Sequence, residues 1–197
     1  MRASAARVAL ISLALLAASE ARAADEPHGH ADITLGASYR VLAAALDFRD
    51  IHVAVAEQGA RKAAKPDLGR RGYGCVRRDD PYADVTCVSH DEKIGAAETR
   101  EIRLQFVNGV LQQFSITADI PHFDVVMGAI RARHGSPQET EAASEGRYAS
   151  YRWKNGVSSI VAYASKDVVF VSFDLATYQE AIKRRQQTGG GIVIEPR

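Results

Sequence analysis

The 197-residue sequence predicts an α+β fold, an antiparallel sheet packed by two main helices and finished by a C-terminal helix. Three observations predict it. Alternating apolar and polar residues flank an Asn-Gly pair at 108–109. Two stretches, after Ser38 and after Pro121, carry apolar residues at helical spacing. A third helical stretch near the end closes on Lys183-Arg184-Arg185 and is followed by three glycines. With 46% hydrophobic and 25% charged residues, the chain has the make-up of a globular domain rather than a disordered one. Its length supports one substantial core, or two small repeats sharing one.

The first 23 residues do not belong to that domain. Arg2 and Arg7 precede the apolar run Val8 to Ala18, and Ala21-Arg22-Ala23 supplies small residues at the −3 and −1 positions. This is the layout of a secretory signal peptide, and the apolar run is about half the roughly 20 residues needed to span a bilayer. Cleavage after Ala23 removes Arg2, Arg7, Arg22 and Glu20, taking the formal charge from +1 to −1. No later segment reads as a transmembrane span. The expected location is the periplasm or the exterior. The near-balance of 25 basic against 24 acidic residues argues against a nucleic-acid partner.

Export also decides how the two cysteines are read. In oxidising surroundings Cys75 and Cys87 are expected to form a disulfide. A hairpin centred on Pro81 sets Cys75 opposite Cys87, Val76 opposite Thr86 and Arg78 opposite Asp84.

Along the exported chain, residues 24–32 read as a flexible polar tail that includes His28 and His30. A single α+β domain is expected over 33–187. Ser38 is placed to cap a helix whose face is Tyr39, Leu42, Ala45 and Leu46. Residues 51–55 fit a strand, and 58–72 a loop carrying Arg61, Lys62, Lys65, Arg70 and Arg71. Strands 101–107 and 110–116 meet at Asn108-Gly109, and a β-bulge at Gln112-Gln113 is required to bring Leu104 opposite Phe114 and Ile102 opposite Ile116. Phe123, Val126, Ile130 and His134 share one face of the second main helix, which Gly135 and Pro137 stop. A further hairpin turns at Asn155-Gly156, a strand covers 167–173, and Asp174 is placed to cap a helix over 175–187. Residues 188–197 read as a flexible tail. The two Asn-Gly hairpins share one pattern, each downstream of an amphipathic helix, which raises the expectation of two repeats, 33–118 and 119–187.

Ile33-Thr34-Leu35-Gly36 at the first helix, and Phe123 through Arg133-His134-Gly135-x-Pro137 at the second, resemble the helix ends of exported α/β proteins of the β-lactamase-inhibitor-protein and SmpA/OmlA lipoprotein type. In these a short helical segment packs on an antiparallel sheet, sometimes as a tandem pair. The resemblance implies a protein-binding or scaffold role with no catalytic residues to transfer. The chain departs from the lipoproteins in lacking a lipid-anchoring cysteine.

The sequence holds no nucleophile elbow, phosphate-cradling glycine loop or metal-ligand motif. No cofactor and no metal are expected, and His134 reads as semi-buried structure rather than a general base. The expected function is a non-enzymatic exported module that engages a protein or an envelope component. The alternatives are an inhibitor or accessory of a hydrolase, or a small-ligand binder. The candidate contact residues are the basic loop Arg61, Lys62, Lys65, Arg70 and Arg71, together with Tyr82 at the hairpin tip and Tyr151 and Tyr163 in the last strands. Trp153 is expected in the core.

Overall fold

The computed structural model describes residues 26–50, 72–80, 82–90, 92–144 and 148–188. The expected signal peptide, the strand at 51–55, the basic loop and the C-terminal tail from 189 lie outside the described residues. The strands are β1 (Gly29–His30), β2 (Ile33–Thr34), β3 (Phe48–Asp50), β4 (Tyr73–Asp80), β5 (Ala83–Ser89), β6 (Lys93–Ile94), β7 (Ala97–Val107), β8 (Val110–Asp119), β9 (Glu139–Glu141), β10 (Ser150–Lys154), β11 (Ser158–Ala164) and β12 (Val168–Leu175). The helices are α1 (Tyr39–Ala45), α2 (Phe123–His134) and α3 (Tyr178–Thr188).

One ten-stranded sheet runs in the order β3-β4-β5-β7-β8-β12-β11-β10-β9, with β6 paired to β7. Every pairing is antiparallel except that of β3 with β4, so the sheet is mixed rather than purely antiparallel. The expected division into repeats at residue 118 is not what the chain builds. β8 pairs with β12 from Asp119 opposite Val168 to Gln113 opposite Asp174, which fuses both halves into a single sheet. A continuous cluster of buried residues follows, in which Phe114 stacks on Phe173 with ring centroids 4.1 Å apart.

The two Asn-Gly pairs also fold differently. Asn108 and Gly109 both take positive φ, 54° and 72°, and connect β7 directly to β8. At the second pair the Asn155 side-chain carbonyl instead accepts from the backbone N–H of Val157 and of Ser158, and the chain reverses at Gly156-Val157. An Asx-type turn needs no left-handed residue.

The bulge at Gln112 is present: Phe106 lies opposite Leu111 while Gln105 lies opposite Gln113, which brings Leu104 onto Phe114 and Ile102 onto Ile116. Cys75 and Cys87 are opposite one another and bonded. The register then shifts between Arg77 and Asp80, with one extra residue on β4, so Arg78 and Asp79 together stand against Asp84 and the expected one-to-one pairing of Arg78 with Asp84 is lost. Asp84 turns instead to Arg185 of α3.

α1 and α2 cover one face of the sheet. Ser38 caps α1 by accepting from the Val41 N–H, and Leu42 enters the core. α2 buries Val126, Met127 and Ile130, and ends at Gly135 with φ 75°. Trp153 is fully buried beneath it, its indole N–H donating to the Gly135 carbonyl at 2.9 Å. Residues 26–32, expected to trail as a tail, are packed: β1 pairs with β2, and the Asn155 amide donates to the Glu26 carbonyl at 2.8 Å.

α3 lies on the opposite face. Asp174 is not its cap, because β12 continues through Leu175 and the helix starts at Tyr178. From there the helix passes over β8, β7 and β5. Thr177 donates to Gln112, the Tyr178 hydroxyl donates to Gln105, Ile182 packs with Val107, and Arg185 reaches Asp84. Asp84 also accepts from the N–H of Asn108, so one buried carboxylate ties the β4–β5 hairpin, the β7–β8 turn and the last helix together.

Removing one partner of such a pair leaves a charge buried without compensation, at a cost of about 3–5 kcal/mol. Asp84→Ala and Arg185→Ala should each lower urea-unfolding stability by about that amount, whereas Asp84→Ala combined with Arg185→Met should lose less than the two single losses added together.

Candidate functional site

Two places stand out among the described residues for their clustered polar side chains. The first is a groove of about 530 Å³ between α3 and the sheet face it crosses. Its floor is Gln105 of β7 and Gln113 of β8, residues that the pleat turns away from the core because Leu104, Phe106 and Phe114 point into it. Its wall is the helix, through Tyr178, Gln179, Ile182 and Gln186, and Tyr82 closes one end. Lys183 stands on the rim with its ammonium 3.1 Å from Glu180. The lining is therefore mostly amide and phenol, with Ile182 its apolar member and Lys183 its charged one. Gln105 accepts from Tyr178 through its carbonyl, which leaves its N–H donors for another group.

Beside the groove, the Gln113 amide donates to the Ser172 hydroxyl at 3.1 Å, and that hydroxyl donates to the Asp174 carboxylate at 2.9 Å. Burial raises the Asp174 pKa above its ordinary value, partly offset by the hydrogen bonds from Ser172 and Gln113.

The second place joins residues far apart in sequence. His28 and His134 meet edge-on with ring centroids 5.1 Å apart. The Ser158 hydroxyl accepts from the His28 backbone N–H at 2.8 Å and lies 2.7 Å from the His28 Nδ1. The Gly29 carbonyl can only accept, so at 3.0 Å it fixes the His134 proton on Nε2. Burial lowers the pKa of all three nearby histidines. For His28 burial is the cause, for His30 the charge of Arg133 adds to it, and His134 is brought down to about 4 with further help from His28.

A Ser and two His in contact invite comparison with a nucleophile and its base, but the geometry is of another kind. Ser158 is only 2% exposed and its oxygen is already shared among His28 and Asn155. Among the described residues, no three His, Cys, Asp or Glu side chains are grouped to hold a metal ion.

The sequence-based contact residues fall in separate places. Tyr82 is half-exposed and lines the groove. Tyr163 lies on the same sheet face, against Phe170 at 5.1 Å. Tyr151 lies on the other face, packed on Phe123 with the Arg131 guanidinium 5.9 Å above its ring, so the three tyrosines do not form one surface. Arg61, Lys62, Lys65, Arg70 and Arg71 lie outside the described residues. No helix among the described residues is long and apolar enough to cross a membrane.

The sequence reading missed the groove, although one signal for it was present. Tyr178, Ile182 and Arg185 recur at i, i+4 and i+7 and define the face that α3 turns to the sheet. Arg185 is one of three basic residues in a row near the helix end, yet its side chain is buried.

Compared with family models, with curated proteins and with solved structures, the chain matches none.

Stability should follow pH with two opposed signs. His134, whose pKa is lower when folded, stabilises the fold fully above the unfolded value of 6.5; that contribution declines as pH falls below 6.5 and levels off near 4, and His28 and His30 act with the same sign. Urea midpoints measured from pH 7 to pH 4 should fall over that interval. Asp174, raised when folded, acts oppositely: Asp174→Asn should raise the midpoint at pH 7, and the difference should vanish near pH 3, where both side chains are neutral.

Proposed function

We propose that the chain is an exported, non-enzymatic binding module whose groove between α3 and the open sheet face receives an extended segment of another protein. The observation that carries this reading is the chemistry of the groove lining. Gln179 and Gln186 each carry a donor and an acceptor, the pair a peptide group offers in return, Gln105 keeps its amide N–H groups and Gln113 its carbonyl for a ligand, and Tyr82 and Tyr178 add aromatic surface of the kind enriched at interfaces. The strands beneath are central and their backbone groups are engaged within the sheet, so side chains must do the reading. Export is supported by the Val8–Ala18 run with its Ala21-Arg22-Ala23 step, and by the Cys75–Cys87 bond. The resemblance to exported α/β binding proteins points the same way.

A second reading, inhibition of a hydrolase, rests on Tyr82, exposed at the end of a hairpin stapled by the disulfide.

Photo-crosslinking in the exporting cells separates the two. A photoreactive residue in place of Gln105 or Gln186 should give a discrete, protease-sensitive adduct that the same residue at Lys166, on a distant turn, does not give. An adduct from position 82 but not from 105 or 186 would favour the inhibitor reading. Equal labelling from 105, 186 and 166, or none from the groove, would overturn the proposal, and an adduct lost when Arg61, Lys62, Lys65, Arg70 and Arg71 are changed to Ser would move the contact to the basic loop.

A further inference from the structure

The histidine pair lies outside the groove and takes no part in the binding reading. We propose that the edge-on contact of His28 with His134 is an acid-released latch that holds residues 26–30 against the body of the protein.

The geometry is that of a joint between two separately anchored pieces. On one side, His134 is the last residue of α2, fixed through Val126, Met127 and Ile130 in the core. On the other, Ile33 and Leu35 are buried and hold the chain just beyond the joint. Between these anchors, residues 26–30 are attached by polar groups alone: His28 to Ser158 and, through its carbonyl, to the Leu35 N–H, Gly29 to His134, the His30 ring to the Lys93 backbone, Glu26 to Asn155, and the two-residue ladder of β1 with β2. Ala31, in the turn between those strands, has a φ of 48°, a left-handed conformation that a residue with a Cβ adopts at a cost. Opening relieves that strain.

Burial and the Arg133 charge disfavour protonation at the joint, against the smaller opposite effect of the backbone bonds from Gly29 and Lys93. α2 contributes Arg133, which donates to the Ala31 carbonyl at 3.5 Å, while its Arg131 stands over the Tyr151 ring. β6 contributes Lys93, whose charge is shared with Glu98 at 3.7 Å and whose backbone bonds the His30 ring. The β10–β11 turn offers only the neutral Asn155 and Ser158. The segment itself carries Glu26, His30 and Asp32, yet among the described residues no carboxylate forms an ion pair with His28, His30 or His134. A proton on either ring therefore places a cation beside a second basic ring in a cationic, half-buried setting. Detachment of 26–30 lets both rings hydrate and take up protons, while the sheet and its core stay intact. Because His134 prefers its proton far less in place than in water, acid favours the detached form in proportion to that preference.

Hydrogen exchange of the protein from Ala24, corrected for the intrinsic pH dependence of exchange, tests this at pH 7 and pH 4.5. Protection of amides 28–34 should fall roughly tenfold or more between the two, while amides of β7 and β8 keep theirs. In His134→Gln, which retains a side-chain N–H for the Gly29 carbonyl but cannot be protonated, the loss should be much reduced. His28→Gln should behave likewise, and guards against one variant failing to fold. Equal loss in wild type and in both folded variants, or simultaneous loss across β7 and β8, would overturn the latch.

Discussion

The pairing of β8 with β12 is the constraint on which the rest of the molecule depends. It brings residues 113–119 and 168–174 together across a sequence gap of about fifty positions, and its cost in loop closure is offset by burial on one face. Phe114 on Phe173 and Ile116 beside Val171 place large apolar groups at the centre of the core, where α2 and Trp153 close over them. Had the seam not formed, each half would own a small sheet with an apolar edge in water. With it, both halves share one core, and the resemblance between their helix-and-hairpin patterns ceases to mark separate units.

The same seam sets the other face. Because side chains alternate, every pair that buries an apolar group toward α1 and α2 sends its neighbours the other way. Gln113, Ser172 and Asp174 are those neighbours, and they link into one hydrogen-bonded row. The bulge at Gln112 has a further effect here. By adding one residue to β8 it keeps Leu111 and Phe114 on the core side while turning Gln112 to meet Thr177 at the start of α3. A device needed for the core thus also positions the last helix, and with it the wall of the groove.

α3 itself is held by little apolar area, since Val107, Tyr178 and Ile182 form only a small cluster. Its placement relies on Arg185 reaching the buried Asp84, which also accepts the Asn108 N–H. Such pairs contribute little net stability compared with apolar groups of the same size, but they fix one arrangement over others. A helix laid over a polar sheet face could slide along it, and the buried ion pair specifies where it stops. At the other end of the molecule the histidines play the opposite part, uncharged in place and bonded through single protons to Ser158 and to Gly29.

What the sequence determined by itself were features decided within a few residues: the Ser38 cap, the Asn108-Gly109 turn, the bulge at Gln112, the opposition of Cys75 and Cys87, and the stop at Gly135. In each the cause is local, being a backbone conformation that few residues tolerate or a register that only one alignment of apolar residues satisfies. The second Asn-Gly pair shows where this ends, because the Asn155 side chain made a different local choice that composition does not distinguish. Tertiary structure alone decided that the halves merge, that Arg185 turns inward to Asp84 rather than outward with its basic neighbours, that Tyr151 and Tyr163 face opposite ways, and that His28, His134 and Ser158 meet. These are contacts between segments far apart in the chain. Their energies depend on which surfaces remain after the core has formed, and no local pattern records that.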